Sequence, residues 1–161
     1  MSWHGGKGDK PRPVDKKAFD TNYDNIFRKK EVYNLFLDDV RVVKDAVIHK
    51  LNRKLIEESK IPAVDWWIVR SYDDFVKTVK EKGVPNVVSF DNDLSQEQTR
   101  YFVRNHEKNG FNVDVYNDNG ISCARFLIQY CKEQNKPLPT YYVHSANYHA
   151  VDFIENLMKH E

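Results

Sequence analysis

From residue 33 onward, short, mainly apolar runs alternate with longer stretches whose apolar residues recur every three to four positions. The runs at 33–37, 66–69, 87–90 and 141–143 are too short for helices and predict four strands, each buried on both faces. The spacing between them predicts helices. Over 43–59, Val43, Ala46, Val47, Lys50, Leu51, Lys54 and Leu55 form one inward stripe. Between Ser71 and Gly83, a serine cap with Asp74 three residues on opens a helix that buries Phe75, Val76 and Val79, and the glycine closes it. Over 120–135 the stripe is Ile121, Ala124, Leu127, Ile128 and Cys131; a last helix carries Val151, Ile154, Leu157 and Met158. Pro62, Pro85, Pro137 and Pro139 fall in the connections. The order β-α-β-α-β-(long segment)-α-β-α calls for right-handed crossovers and an α/β, doubly wound parallel sheet with helices on both faces.

The pattern breaks in two places. Residues 95–119 lack a clear period, yet Tyr101, Phe102, Phe111 and Tyr116 argue against disorder. A short helix over 96–105 followed by a loop or hairpin is expected there, placed over the strand ends because it follows Asp93 directly. Residues 1–30 read as a flexible basic arm, punctuated by Gly5, Gly6, Gly8, Pro11 and Pro13. Phe19, Tyr23, Ile26 and Phe27 could dock a short helix from it on the domain formed by 31–161.

Composition narrows the partners. At 161 residues the chain suits one domain of usual size with a proper core. The net charge of +1 hides an asymmetry: eight basic and four acidic residues up to Lys30, then 17 basic and 20 acidic beyond it. A mildly acidic body does not advertise a duplex nucleic-acid groove, whereas the basic arm offers a docking element for a protein partner. No run is long enough to span a membrane and no signal-peptide pattern is present, so a cytoplasmic location is expected. Cys123 and Cys131 lie eight apart on one helix, about 12 Å by helical rise, too far to bridge. They read as reduced, half-buried thiols.

Chemistry concentrates where the strands stop. The first run ends in Asp38-Asp39, with Arg41 two residues on; the third ends in Asp91-Asn92-Asp93; the fourth ends in His144-Ser145-Ala146-Asn147. In an open parallel sheet, ligands bind beyond the carboxyl ends of the strands, so these clusters converge on one pocket. Four carboxylates packed together need a neutralising cation, and Mg²⁺ or Mn²⁺ held by Asp38, Asp39, Asp91 and Asp93 is the simplest solution. Asp38-Asp39 alone reads equally well as a cap on the following helix, and Asp93 as a residue that holds its turn. His144 is suited to proton transfer, and also to metal ligation or a structural role. Arg41 carries the donor fork that grips phosphate, with Ser145 and Asn147 as further phosphate-binding candidates; Asn147 reads equally as a helix cap. No Gly-rich phosphate loop and no nucleophile elbow is present.

The acidic pair after strand 1, the Asp after strand 3 and the Ser after strand 4 resemble the pocket of response-regulator receiver domains. That resemblance implies Asp38 and Asp39 as the metal-binding pair, Asp91 as phosphoacceptor and Ser145 as the small hydroxyl residue. It also implies a flavodoxin-like three-layer sandwich, truncated to strand order 2-1-3-4, because no fifth strand with a lysine follows. The fuller pattern, Leu-Phe-Leu-Asp-Asp-Val-Arg, Ser-Phe-Asp-x-Asp-Leu and Val-His-Ser-x-Asn, is similar to the cyclic-phosphate-processing receiver-like family, found in bacteria and phages. One departure stands out: that family's Asp-His-Asp-Leu is Asp-Asn-Asp-Leu here, with Asn92 in the histidine's place. The Gly-Lys-Gly-Asp-Lys-Pro-Arg-Pro segment of the arm resembles the start of small phage-encoded proteins, which implies phage origin and a host-cytoplasmic setting.

The first functional expectation is a metal-dependent phosphoesterase acting on a cyclic phosphate of a nucleotide or RNA end, with His144 and Asp91 catalytic. The second is a non-catalytic receiver-like module binding a nucleotide, another phosphate-containing small molecule or a protein partner. A phosphorylatable receiver with Asp91 as acceptor is the third, and the missing lysine counts against it.

Overall fold

A computed structural model describes residues 32–43 and 66–160. The basic arm over 1–30, and almost all of the helix expected over 43–59, lie outside the described residues. The described part is an α/β unit in the order β1 (Asn34–Leu37), β2 (Trp66–Val69), α1 (Tyr72–Lys82), β3 (Val87–Phe90), α2 (Gln96–Asn105), α3 (Gly120–Glu133), β4 (Thr140–Val143) and α4 (Tyr148–Lys159). All three strand pairings are parallel, and the sheet order is β2-β1-β3-β4. The expected order 2-1-3-4 is therefore the observed one.

Period-two alternation divides each strand between two environments. Leu35, Leu37, Val88, Phe90, Val69 and Val143 face the main core, where they meet Phe75 and Val79 of α1, Ile121, Leu127 and Ile128 of α3, and Ile154 of α4. The opposite face of the central strands β1 and β3 is buried as well but more polar, whereas the edge strands β2 and β4 are partly exposed rather than buried on both faces as expected. Asn34, Phe36, Val87 and Ser89 are all buried there, and Phe36 meets Trp66 edge-on. The thiols of Cys123 and Cys131 are free and fully buried within the main core, more deeply than their half-buried expectation.

The helix boundaries follow local chemistry. The Ser71 hydroxyl accepts from the Asp74 amide at 3.2 Å, and Gly83 at φ 89° ends α1 in a conformation that favours glycine. Thr78 is buried in α1, while Val76 is only half-buried. Ser95 caps α2, which spans the residues expected of it, and an irregular loop follows with no hairpin among the described residues. Tyr101 packs against both Phe111 and Tyr116 in this insert, and Phe102 meets Tyr148 of α4. Arg125 of α3 holds Asp114 through two hydrogen bonds of 3.0 and 2.6 Å.

Candidate metal and phosphate site

Register dictates which residue of each polar cluster enters the site. The last paired rows are Leu37 with Val69 and Phe90, and Phe90 with Val143. The ladder continues one step further through the amides of Asp38, Asp91 and His144, which donate to Val69, Leu37 and Phe90 carbonyls at 3.1, 2.9 and 2.8 Å. Asp38, Asp91 and His144 therefore occupy one row, on the same side of the sheet as Phe36 and Ser89. Each offers one ligand atom, and these atoms all lie within 4.8 Å of one another.

Asp38 is fully buried and every oxygen lone pair on it is engaged. Oδ1 accepts from the backbone amides of Val40, at 2.9 Å, and of Arg41. Oδ2 accepts from Arg41 Nε at 2.6 Å and lies 3.2 Å from His144 Nε2. Burial pushes this carboxyl upward, but the bonds from His144 and the two amides, with the Arg41 charge, hold it well below the usual carboxylate range. Asp91 behaves differently. Its Oδ2 accepts from Arg41 Nη2 at 2.8 Å and its Oδ1 from the Asn92 amide at 2.8 Å, with the Ser145 hydroxyl near enough to favour its ionised form. Burial nevertheless outweighs these partners and the Arg41 and His144 charges, and its pKa rises. Burial lowers and the two carboxylates raise the proton affinity of Arg41, and the carboxylates win.

His144 is buried beneath the strand ends, its side chain 3% exposed. Its ring stacks on Phe36 at 4.5 Å between centroids and 12° between planes, with Nδ1 2.7 Å from the Ser89 hydroxyl. Arg70, which follows β2, bonds to the Asp38 carbonyl at 2.8 Å and to the Arg41 carbonyl, pinning the turn between them. Ser89 and Arg70 were not among the sequence candidates. The signal for both was the register: Ser89 lies one pleat before Asp91, and Arg70 lies in the row of Asp38.

The remaining candidates fall around this group. Asp39 is half-buried beside it, its pKa raised by burial and by the Asp38 charge, and it is not in the close donor group. Asp93 Oδ1 takes the amide protons of Asn92, at 2.8 Å, and Asn147, at 3.1 Å, so it ties two strand-end loops together. Asn147 caps α4, accepting from the Ala150 amide at 3.2 Å. Its carboxamide is thus engaged at both ends. Asn92 is buried, and its Oδ1 accepts from the Ile121 amide at 3.2 Å at the start of α3. Gly120 closes this contact: a Cβ there would stand 2.1 Å from the Asp91 carbonyl oxygen and 2.8 Å from Asn92 Cα. Only glycine lets α3 dock this closely.

The cation inferred from the sequence as neutralising the carboxylates is met, in this structure, by Arg41, which bridges Asp38 and Asp91. The residues still fit a divalent ion: two carboxylates and an imidazole converge on one point. No helix among the described residues is long and apolar enough to cross a membrane.

A parallel sheet of order 2-1-3-4 with acidic strand ends defines a receiver-like module. The model of the family "Cyclic-phosphate processing Receiver domain" matches residues 33–160, and the chain belongs to that family. No curated protein and no solved structure matches it. The phage origin suggested by the arm receives no support from these comparisons.

Proposed function

We propose that the domain hydrolyses a cyclic phosphate carried by a nucleotide or an RNA end, with a divalent metal held by Asp38, Asp91 and His144. The observation that carries this reading is the single row of three ligand atoms within 4.8 Å, at the carboxyl ends of three parallel strands and in contact with Arg41. The family description supports the substrate class. A bound Mg²⁺ or Mn²⁺ supplies a Lewis acid for a phosphoryl oxygen and a more acidic water.

The chain's own residues divide the remaining work. In this reading Arg41 and the Ser145 hydroxyl hold phosphate oxygens beside Asp91. Asn147 is committed to its cap and to Asp93, so it leaves the phosphate-binding set. Asp93 acts as a tie between loops, and Asp39 as a rim carboxylate. His144, buried with Nδ1 on Ser89, serves better as a ligand than as a proton donor to substrate. Asn92 works as a brace on α3, so its replacement of the family histidine leaves the carboxylate pair in place.

One observation favours the second reading, a phosphate-binding module without turnover. Both ring nitrogens of His144 are already engaged within the protein. An assay decides. Purified protein is incubated with 2′,3′-cyclic and 3′,5′-cyclic nucleotides and with linear diesters, in Mn²⁺ or in EDTA. Turnover that requires Mn²⁺ and falls to background in Asp38→Asn is expected. Turnover surviving both EDTA and that substitution rules out the metal mechanism; binding of cyclic nucleotides without hydrolysis establishes the module.

A further inference from the structure

We infer that Arg41 is a displaceable internal cation, so that a divalent metal and the guanidinium compete for the same carboxylate oxygens while phosphate, by engaging the released arginine, strengthens metal binding. This rests on the reading of Asp38, Asp91 and His144 as a metal site.

The inference follows from counting acceptors. An ionised carboxylate has about four lone-pair sites. On Asp38 all four are in use: two by the amides of Val40 and Arg41, one by Arg41 Nε, one by His144 Nε2. A metal on His144 Nε2 takes over that nitrogen's place at Oδ2, and a guanidinium holding the same oxygen then crowds and repels the ion. The two amides are fixed by a turn that Arg70 pins at both of its carbonyls. The His144 ring is wedged between Phe36 and Ser89. The Arg41 side chain, 30% exposed against 0% for its Asp38 partner, is the group with somewhere to go.

Its grip also falls on the atoms a metal needs. The guanidinium spans Oδ2 of Asp38 and Oδ2 of Asp91, at 2.6 and 2.8 Å, and Asp38 Oδ2 is the oxygen facing His144 Nε2. Releasing the guanidinium removes a positive charge from between two carboxylates aimed at the same point. The released fork suits a phosphate in two-pronged contact. Metal and phosphate then favour the same state of Arg41, and each raises the affinity of the other.

The test titrates Mn²⁺ into wild-type protein by calorimetry, with bound ion counted by electron paramagnetic resonance. It is run with and without methyl phosphate, which stays soluble beside the metal. In the wild type, methyl phosphate should tighten Mn²⁺ binding by about tenfold, within the usual range of such coupling. In Arg41→Gln, Mn²⁺ should bind more tightly than in the wild type without phosphate, and the phosphate effect should shrink. Arg41→Lys keeps a charge but cannot span both carboxylates, and should fall between the two. Circular dichroism confirms folding of each variant. Arg41→Gln binding Mn²⁺ no better than wild type, or keeping the full phosphate effect, overturns the competition alone. Mn²⁺ binding that is unchanged in Asp38→Asn overturns the metal site itself, and the competition with it.

Discussion

Asp38 and Asp91 stand at one level of the sheet on neighbouring strands, share Arg41, and are treated in opposite ways by the protein around them. The end of β1 is wired mainly to itself: the Asp38 carboxylate is gripped by amides two and three residues downstream and by the Arg41 side chain. The end of β3 is wired to distant parts of the chain. Asn92 braces α3, Asp93 reaches Asn147 before α4, and Asp91 meets Arg41. One end is built largely from its own turn, pinned from outside by Arg70 and His144, and the other depends on helices and strands having packed. One carboxylate is held ionised as a result, and the other is buried with fewer donors and takes up a proton more readily.

The largest test strikes the packed end. Gly120→Ala puts a methyl group 2.1 Å from the Asp91 carbonyl oxygen, so α3 must lift from the β3 end. A loss of about 3 kcal/mol, the upper part of the overpacking range, is expected. It lowers the melting temperature by roughly 10 °C for a chain of this size. Amide chemical shifts should change at residues 91–93 and stay nearly constant at 38–41. Equal disturbance of both ends would erase the distinction between a local and a packed strand end.

Asp38→Asn attacks the local end and should cost about 1–3 kcal/mol at pH 7, because buried donors lose a charged acceptor. Its pH dependence has a definite sign. The folded carboxyl lies below its ordinary value of 3.8, so its stabilisation is complete above that pH and disappears as pH falls toward the folded value. Wild type and variant should therefore converge in acid. Urea unfolding at a series of pH values reads this directly, and a constant gap between the two curves would contradict it.

Asp91→Asn should have the smallest effect: no loss at pH 7, or a gain of up to about 1 kcal/mol. A raised folded pKa contributes stability that is complete below 3.8 and is lost as pH rises through the folded value. An amide never ionises and escapes that loss. Urea unfolding at pH 7 that found Asp91→Asn weaker than Asp38→Asn would reverse the comparison.

The strands were legible because each is a short apolar run that stops abruptly, and α1 because Ser71 opens it; α2 was expected from the aromatics of the insert, and its Ser95 cap emerged from the structure. The strand order came from the resemblance, since apolar runs carry no information about neighbours. Convergence of the polar clusters was legible too; their internal sorting was not. Asp39 and Asp93 share the chemistry of Asp38 and Asp91, and only the pleat and the register separate them. Arg41 read as a phosphate grip because its two carboxylate partners lie 3 and 50 residues away, on strands whose relative height the sequence does not state. Ser89 read as one more strand residue.

That serine has a consequence for the imidazole above it. A hydroxyl turns about its C–O bond, so it can lend its hydrogen to Nδ1 or receive one from it, at the same 2.7 Å separation. In the first arrangement Nε2 carries the hydrogen and points it at Asp38; in the second Nε2 presents a bare electron pair. The carboxylate oxygen 3.2 Å from Nε2 favours the first arrangement, and a metal on Nε2 would favour the second. An alanine at position 89 would leave the ring in place and strip it of that versatility.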